Sequence, residues 1–256
     1  LKATNALLMV NYELTRHVSG WGQQAGNDTI TWNHTTFPIL GIFWISRYMQ
    51  RWYGDVDGKI AMMMAEVEGC FRGQMKSWKP QCDADGYLTI VPGHLMEYTL
   101  AQNDYGWFES GNCRKYAEYL TALSDNKGVL PGLGDSGYGT SPGYEVPGLS
   151  MALWYYRDGR YLWRLQQVMG SKWPNPYDQT IQPRKWYSMA GLNVTRLAEE
   201  NYNYSKTRSY YGEPVTPPNV PYEKAFDKIT FRESLEREGP FLLLDGFGRG
   251  KHLHYD

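Results

Sequence analysis

The sequence predicts a mainly α-helical chain with a β C-terminus: an incomplete α/α solenoid or toroid of helical hairpins, followed by the first strands of an antiparallel β domain. Three observations support this prediction. Apolar residues recur at helical spacing in paired segments over most of the chain. Loops rich in Gly, Pro and Asp separate these pairs. Runs with strand character follow only after a proline-rich stretch near the end.

The predicted helices follow one another in hairpins. A first helix covers residues 5–18, and a polar loop at 19–36 leads to Pro38, which suits the first turn of the next helix. A turn at Gly54 and Asp55 then joins two helices into an antiparallel hairpin, and the pattern recurs twice. The later predicted helices cover residues 39–53, 59–78, 92–103, 113–124, 145–156 and 160–169.

The C-terminal part differs in composition. Clustered prolines up to Pro221 indicate a linker, after which Lys228–Arg232 alternates like a strand and residues 240–244 form a second apolar run. Because two strands cannot form a stable sheet alone, we expect the rest of the β domain to lie beyond this sequence. The predicted division is a partial helical domain at 1–210, a linker at 211–227 and a truncated β domain at 228–256.

Composition excludes some classes of partner. The net charge is −1, which gives no basic footprint for nucleic acid, and no apolar run is long enough to span a membrane. The N-terminus does not resemble a signal peptide, so the protein is cytosolic or has lost a leader. The 10 Trp and 21 Tyr suit either an aromatic helical core or stacking against sugar rings. No CxxC pattern joins the cysteines, which argues against a zinc–thiolate site.

Two histidines follow the last apolar run. Residues i and i+2 of an extended strand share a face, so His252 and His254 are expected side by side, with Arg249 and Lys251 close by. Two imidazoles on one face can relay a proton, bind a metal ion or divide these roles. The alternative is a pair of surface histidines beside a glycine turn.

A polar loop precedes the helix that Pro38 opens. In it, Asn33 and His34 can both donate hydrogen bonds to a carboxylate. Thr35 or Thr36 is expected to cap the helix that follows. This loop is therefore a candidate site for an acidic ligand.

Two further loops carry polar groups. Asp83 and Asp85, close to Tyr87, suit a general acid and base for hydrolysis, or a turn whose aspartates bond their own backbone. His94, in the next helix, is more typical of a packed histidine. The glycine-rich loop that contains Tyr138 lacks the Lys-Ser/Thr pair of a phosphate-binding loop, so we expect it to line a substrate site or to be structural.

Several segments taken in order resemble the heparinase II/III-like polysaccharide lyases. These are WNHTTFP, FRGQMKSWKPQCDADGY, GVLPGLGDSGY, YRDGRYLW, DKITFRE and FLLLDGFGRGKHLHYD, which together extend from Asn33 to Asp256. The resemblance implies an α/α toroid followed by an antiparallel β-sandwich, with the active site in the cleft between them. It also implies β-elimination on a uronate-containing acidic polysaccharide.

The resemblance assigns roles to individual residues. Asn33 matches the amide that neutralises the uronate carboxylate, and Tyr87 and His252 match the tyrosine and histidine that exchange protons with the substrate. The residues around Tyr87 depart from the family pattern, so His94 and Tyr138 are alternatives to it. The residues expected to bind the substrate are His34, His94, Tyr138 and Arg249.

The resemblance also bears on cofactor, partners and location. His254 matches a histidine that binds a structural zinc ion in some relatives, with the other ligands expected after Asp256. An acidic polysaccharide is the expected partner, beside a homo-oligomer or the missing remainder of the chain, and the expected location is secreted or periplasmic. Four sequons offer glycan acceptors in an exported protein, at Asn27, Asn33, Asn193 and Asn203.

Two other functions fit the same residues. A glycoside hydrolase on a similar toroid would use Asp83 or Asp85 with Glu145 as its carboxylate pair. A non-catalytic carbohydrate-binding or surface-assembly protein would keep the fold without the chemistry, because a fold does not by itself determine activity.

Overall fold

The computed structural model describes residues 3, 6, 9, 33–55, 58–78, 87–130, 143–170, 177–186, 191–195, 221 and 228–245. In these ranges the chain is mainly helical with antiparallel strands near the C-terminus, which confirms the predicted class. Ala6 and Met9 are helical, as predicted. The helices are α1 (Asn33–Tyr53), α2 (Lys59–Met75), α3 (Tyr87–Gln102), α4 (Gly106–Glu109), α5 (Asn112–Leu123), α6 (Glu145–Tyr156) and α7 (Gly159–Met169), and the strands are β1 (Gly191–Thr195), β2 (Lys228–Arg232) and β3 (Phe241–Asp245).

Aspartate side chains in the preceding turns cap the N-terminal ends of two helices. The Asp55 carboxylate accepts hydrogen bonds from the backbone N–H groups of Ile60 (3.0 Å) and Ala61 (3.1 Å), which satisfies free donors in the first turn of α2. Asp158 caps α7 in the same way, accepting from the Arg160 N–H at 3.0 Å. Short connections at these turns fold α1 against α2 and α6 against α7, as the hairpin prediction required.

The helices share one apolar core. Phe71 of α2 stacks on Tyr98 of α3 with ring centroids 4.5 Å apart, and Phe43 of α1 lies 5.3 Å from the same tyrosine. Buried side chains of α5 and α6 continue this cluster, including Leu120 and Leu149. The helical part therefore builds its interior from aromatic and aliphatic groups of successive hairpins.

Two helices begin earlier than the sequence predicts. Pro38 and Pro92 were expected near the starts of α1 and α3, but both lie inside their helices, about one turn after the first residue. The expectation that Thr35 or Thr36 caps α1 is therefore wrong, because both lie within it. Burial of both threonines against the rest of the molecule stabilises this extra turn, although a proline follows it.

The strands form one antiparallel sheet in the order β1-β2-β3. In the register of β2 and β3, Ile229 pairs with Leu244 and Phe231 with Leu242. Strand β1 was not predicted, and it lies in the range assigned to the helical domain. Its short sequence, GLNVT, offers only two alternating apolar residues, too few to distinguish a strand from a loop.

The sheet packs its polar face on the helices. Lys228, Thr230 and Arg232 of β2 are buried, whereas Phe231 between them is exposed. Leu242 and Leu244 of β3, on the same face as Phe231, are exposed too, Leu242 by 55%. The face that is rich in apolar side chains thus points away from the helical part.

The guanidinium of Arg232 joins strand β2 to the end of α5. Arg232 is 1% exposed, and its Nη2 atom donates to the carbonyls of Ala122 (2.8 Å), Ser124 (2.8 Å) and Thr121 (3.2 Å) at the C-terminal end of α5. The ring of Phe241 lies 4.7 Å from the guanidinium carbon. Since carbonyls at this end have no partner within the helix, Arg232 satisfies groups that would otherwise be buried unpaired.

Candidate functional site

The extra turns of α1 and α3 carry two of the predicted site residues. Asn33 is the first residue of α1, and Tyr87 is the first residue of α3. Both were expected in loops that precede a helix. Their backbones therefore have the fixed geometry of a helix start, beside the positive end of the helix dipole.

Helices α1 and α3 run in the same direction. Contacts between them advance along both helices together, from Thr36 with His94, through Trp44 with Glu97, to Arg47 with the Ala101 carbonyl. The intervening helix α2 contacts both of them. Their N-terminal ends therefore face the same end of the helical part. We infer from the helical rise that the two starts lie within a few turns of each other.

A hydrogen bond between Thr36 and His94 joins these N-terminal turns. The Thr36 hydroxyl lies 2.9 Å from His94 Nδ1 and 3.5 Å from the Asn33 carbonyl. The ring of Phe37 meets the imidazole edge-on, with centroids 4.3 Å apart. This network connects the first turn of α1 to the second turn of α3, and it is the part of the candidate site that the structure brings together.

Burial sets the chemistry of this network. Burial lowers the pKa of His94 below its ordinary value of 6.5, against a smaller opposite effect from the Glu97 charge, so the imidazole is neutral at pH 7. Asn33 is 5% exposed and His94 is 8% exposed. Both side chains are therefore largely shielded from solvent in the folded protein.

Most of the remaining predicted site residues lie outside the described residues. This holds for Tyr138, Arg249, His252 and His254, and for Asp83 and Asp85 of the hydrolase alternative. The side chains of His34 and Tyr87 are also outside the described part, although their helical backbones are within it. The distances that join Asn33 and Tyr87 to His252 therefore stay predictions.

The structure assigns Glu145 a different role from the one the hydrolase alternative needs. Its carboxylate has no exposed surface and accepts two hydrogen bonds from Arg164, at 2.5 Å and 3.0 Å. Arg164 also donates to the carbonyls of Asp125 (2.8 Å) and Asn126 (3.1 Å). Glu145 thus ties α6 to α7 and to the loop after α5, and it cannot contact a sugar.

The described residues do not supply a metal site. No group of three or more His, Cys, Asp or Glu side chains comes together within the described ranges. The zinc ion implied by the resemblance would depend on His254 and on ligands that these ranges do not contain.

Sequence reasoning missed the partner of His94. Thr36 was assigned to a cap and His94 to ordinary packing, yet they bond to each other across 58 positions of the chain. No local pattern signals a contact at that separation. The hydrophobic spacing that predicts each helix carries no information about which polar groups of two helices meet.

Comparisons with known proteins do not identify a family for this chain. No protein-family model matches the chain, and neither a curated protein nor a solved structure matches it. Among the described helices, none is both long and apolar enough to cross a membrane.

Proposed function

We propose that this chain is a polysaccharide lyase that cleaves a uronate-containing acidic polysaccharide by β-elimination. The supporting observation is the shared direction of α1 and α3, which brings the starts of both helices, Asn33 and Tyr87, to one end of the helical part. In the resemblance to heparinase II/III-like lyases, Asn33 matches the amide and Tyr87 matches the phenol of the active site.

The reaction explains why these residue types are needed. The C5 proton of a uronate lies α to the carboxylate, and it is only weakly acidic because the negative charge of that carboxylate opposes formation of the carbanion. The Asn33 amide, together with the N-terminal ends of α1 and α3, would offset that charge as the carbanion develops. The electron pair of the C5–H bond then forms the C4–C5 double bond, and the C4–O bond breaks.

Proton transfer is assigned to Tyr87 and His252. One of them takes the C5 proton, and the other protonates the oxygen that leaves C4. His94 holds Thr36, and through it the turn that contains Asn33, while His34, Tyr138 and Arg249 are the proposed contacts to the sugar. His254 is the proposed zinc ligand and has no part in these steps.

The proposal includes the finer architecture. Hairpins whose alternate helices run parallel are the building unit of an α/α toroid. A sheet with one exposed apolar face is the building unit of a β-sandwich, because a second sheet would cover Phe231, Leu242 and Leu244. Substrates of this size are polymers met outside the cell, so the proposed location is secreted or periplasmic.

The test is formation of an unsaturated product. The chain is mixed with alginate, glycosaminoglycan and ulvan-like polymers, and absorbance of the new double bond is followed over time. His252→Ala and Tyr87→Phe are each expected to lower the rate by about 100-fold or more, since each removes a proton-transfer group. Tyr177→Phe, at an exposed tyrosine far along the chain, is the matched control and should retain the full rate.

Two results would contradict the proposal. One is the absence of any absorbance increase on every acidic polymer tested. The other is an undiminished rate in both His252→Ala and Tyr87→Phe. Circular dichroism of each variant separates loss of chemistry from loss of fold.

A further inference from the structure

The outer face of α1 near its C-terminal end carries large aromatic side chains that contact solvent. Trp44, Tyr48 and Trp52 recur every four residues, which places them on one side of the helix. All three are exposed, and Trp52 has 63% of its surface accessible. Since a contiguous aromatic surface is costly to leave in water, this face indicates a binding surface.

Two arginines lie beside these rings. Arg47 Nη1 donates to the Ala101 carbonyl at 2.6 Å, which holds the guanidinium against the end of α3. The guanidinium carbon of Arg51 lies 5.4 Å from the centroid of the Trp52 ring. A guanidinium has five N–H donors, so both arginines keep donors for an anion.

The rings and cations border a pocket of about 730 Å³ between α1, α2 and α3. Gln50, Met64 and Gln102 complete its described lining, which contains no carboxylate. At its edge, the indole N–H of Trp44 donates to Glu97 at 3.3 Å, and this bond fixes the orientation of the ring. The pocket therefore combines flat apolar faces, amides and net positive charge.

We infer that this pocket is a second binding site for an acidic sugar chain, on the order of 22 Å along α1 from Asn33. Aromatic faces spaced one helical turn apart suit consecutive pyranose rings. The two guanidiniums suit carboxylates, which they can bind through paired hydrogen bonds. Arg51 lies in the last turn of α1, where a cation is favourable beside the negative end of the helix dipole. That effect could account for Arg51 alone, but it does not account for the exposed aromatic rings.

The inference rests on the proposed function for its ligand class, but it assigns a separate role. Polymer held at the C-terminal end of α1 is kept close to the N-terminal end, where the reaction is proposed. Such a site raises the local concentration of substrate without taking part in proton transfer.

Binding to the full chain is measured by calorimetry with oligogalacturonate and alginate oligomers, and with neutral cello-oligosaccharides for comparison. Trp52→Ala and Arg51→Gln are each expected to weaken binding of the acidic oligomers about tenfold. Tyr177→Ala removes an exposed ring and Arg237→Gln an exposed cation, both outside the pocket, and both variants should bind as the unchanged chain does. Production of the double bond is followed in the same samples.

The outcomes separate this inference from the proposed function. Weaker binding in the two pocket variants, without product from any sample, supports the second site and contradicts elimination. Product formation with unchanged binding in both pocket variants supports elimination and overturns the second site. Equal affinity for neutral and acidic oligomers also overturns the second site. So does the finding that no sugar binds and that the chain self-associates in a way that Trp52→Ala abolishes.

Discussion

The helical part buries mostly apolar side chains, whereas strand β2 of the sheet buries polar ones. The helices bury aromatic and aliphatic groups such as Phe71 and Leu120. The sheet buries Lys228, Thr230 and Arg232, and leaves apolar residues of β2 and β3 exposed. The helical hairpins thus supply their own core, whereas the sheet is held to them largely by polar contacts and has exposed apolar residues on its other face.

The two parts also neutralise buried arginines differently. Arg164, within the helical part, is paired with the Glu145 carboxylate. Arg232, at the junction, bonds the carbonyls at the end of α5, and burial together with the Arg164 charge lowers its pKa to about 10. The first cation is balanced by a full opposite charge, and the second by the negative end of a helix dipole.

The largest effect is expected from breaking the ion pair of the helical part. Glu145→Gln leaves Arg164 as a buried charge without its counter-ion, which should lower the free energy of unfolding by about 3–5 kcal/mol. Urea unfolding followed by tryptophan fluorescence measures the change. Glu238→Gln, which removes an exposed bridge to Lys127, is the control and should cost less than about 0.5 kcal/mol. Similar losses in both variants would show that the helical part does not depend on this pair.

A smaller loss is expected at the junction. Arg232→Met keeps the bulk but leaves several buried carbonyls without a donor, which should cost about 3 kcal/mol. Arg232→Lys should recover part of the loss, because one ammonium retains the charge but not the fork of donors. Hydrogen exchange at β2 and β3 amides tests whether the sheet opens first. Stability equal to that of Arg237→Met, an exposed arginine on the same segment, would contradict the anchoring role.

The smallest effect is expected on the outer face of the sheet. Leu242→Thr and Leu244→Thr change exposed positions and should alter stability by less than about 0.5 kcal/mol, while reducing binding of a hydrophobic dye. Leu243→Thr, between them but packed on the helical core, should cost about 2 kcal/mol. Comparable costs at all three positions would mean that the two faces of the sheet are not distinct.

Much of the fold could be predicted because local signals were strong. Helix α6 and strand β2 have the bounds that the sequence predicts, and α7 begins one residue earlier. The Asp158-Gly159 turn and the alternation in Lys228–Arg232 depend only on neighbouring residues. Where the chain itself contains the signal, the element follows from it.

The rest depended on contacts between distant segments. The extra turns before Pro38 and Pro92 are held by burial and by the Thr36–His94 bond, which no local pattern reveals. The Arg232 anchor joins residues 108 positions apart. The helical setting of Asn33 and Tyr87 was therefore not foreseeable, and their proposed roles stay predictions.

The burial of Arg232 has a consequence for how the protein responds to high salt concentration. Dissolved ions screen exposed pairs such as Lys127–Glu238 and Lys185–Glu236, which also connect the helical part to the segment between β2 and β3. They cannot approach a guanidinium enclosed by protein. A rise in ionic strength should therefore weaken these two exposed ion pairs and leave the hydrogen bonds of Arg232 to the end of α5 intact.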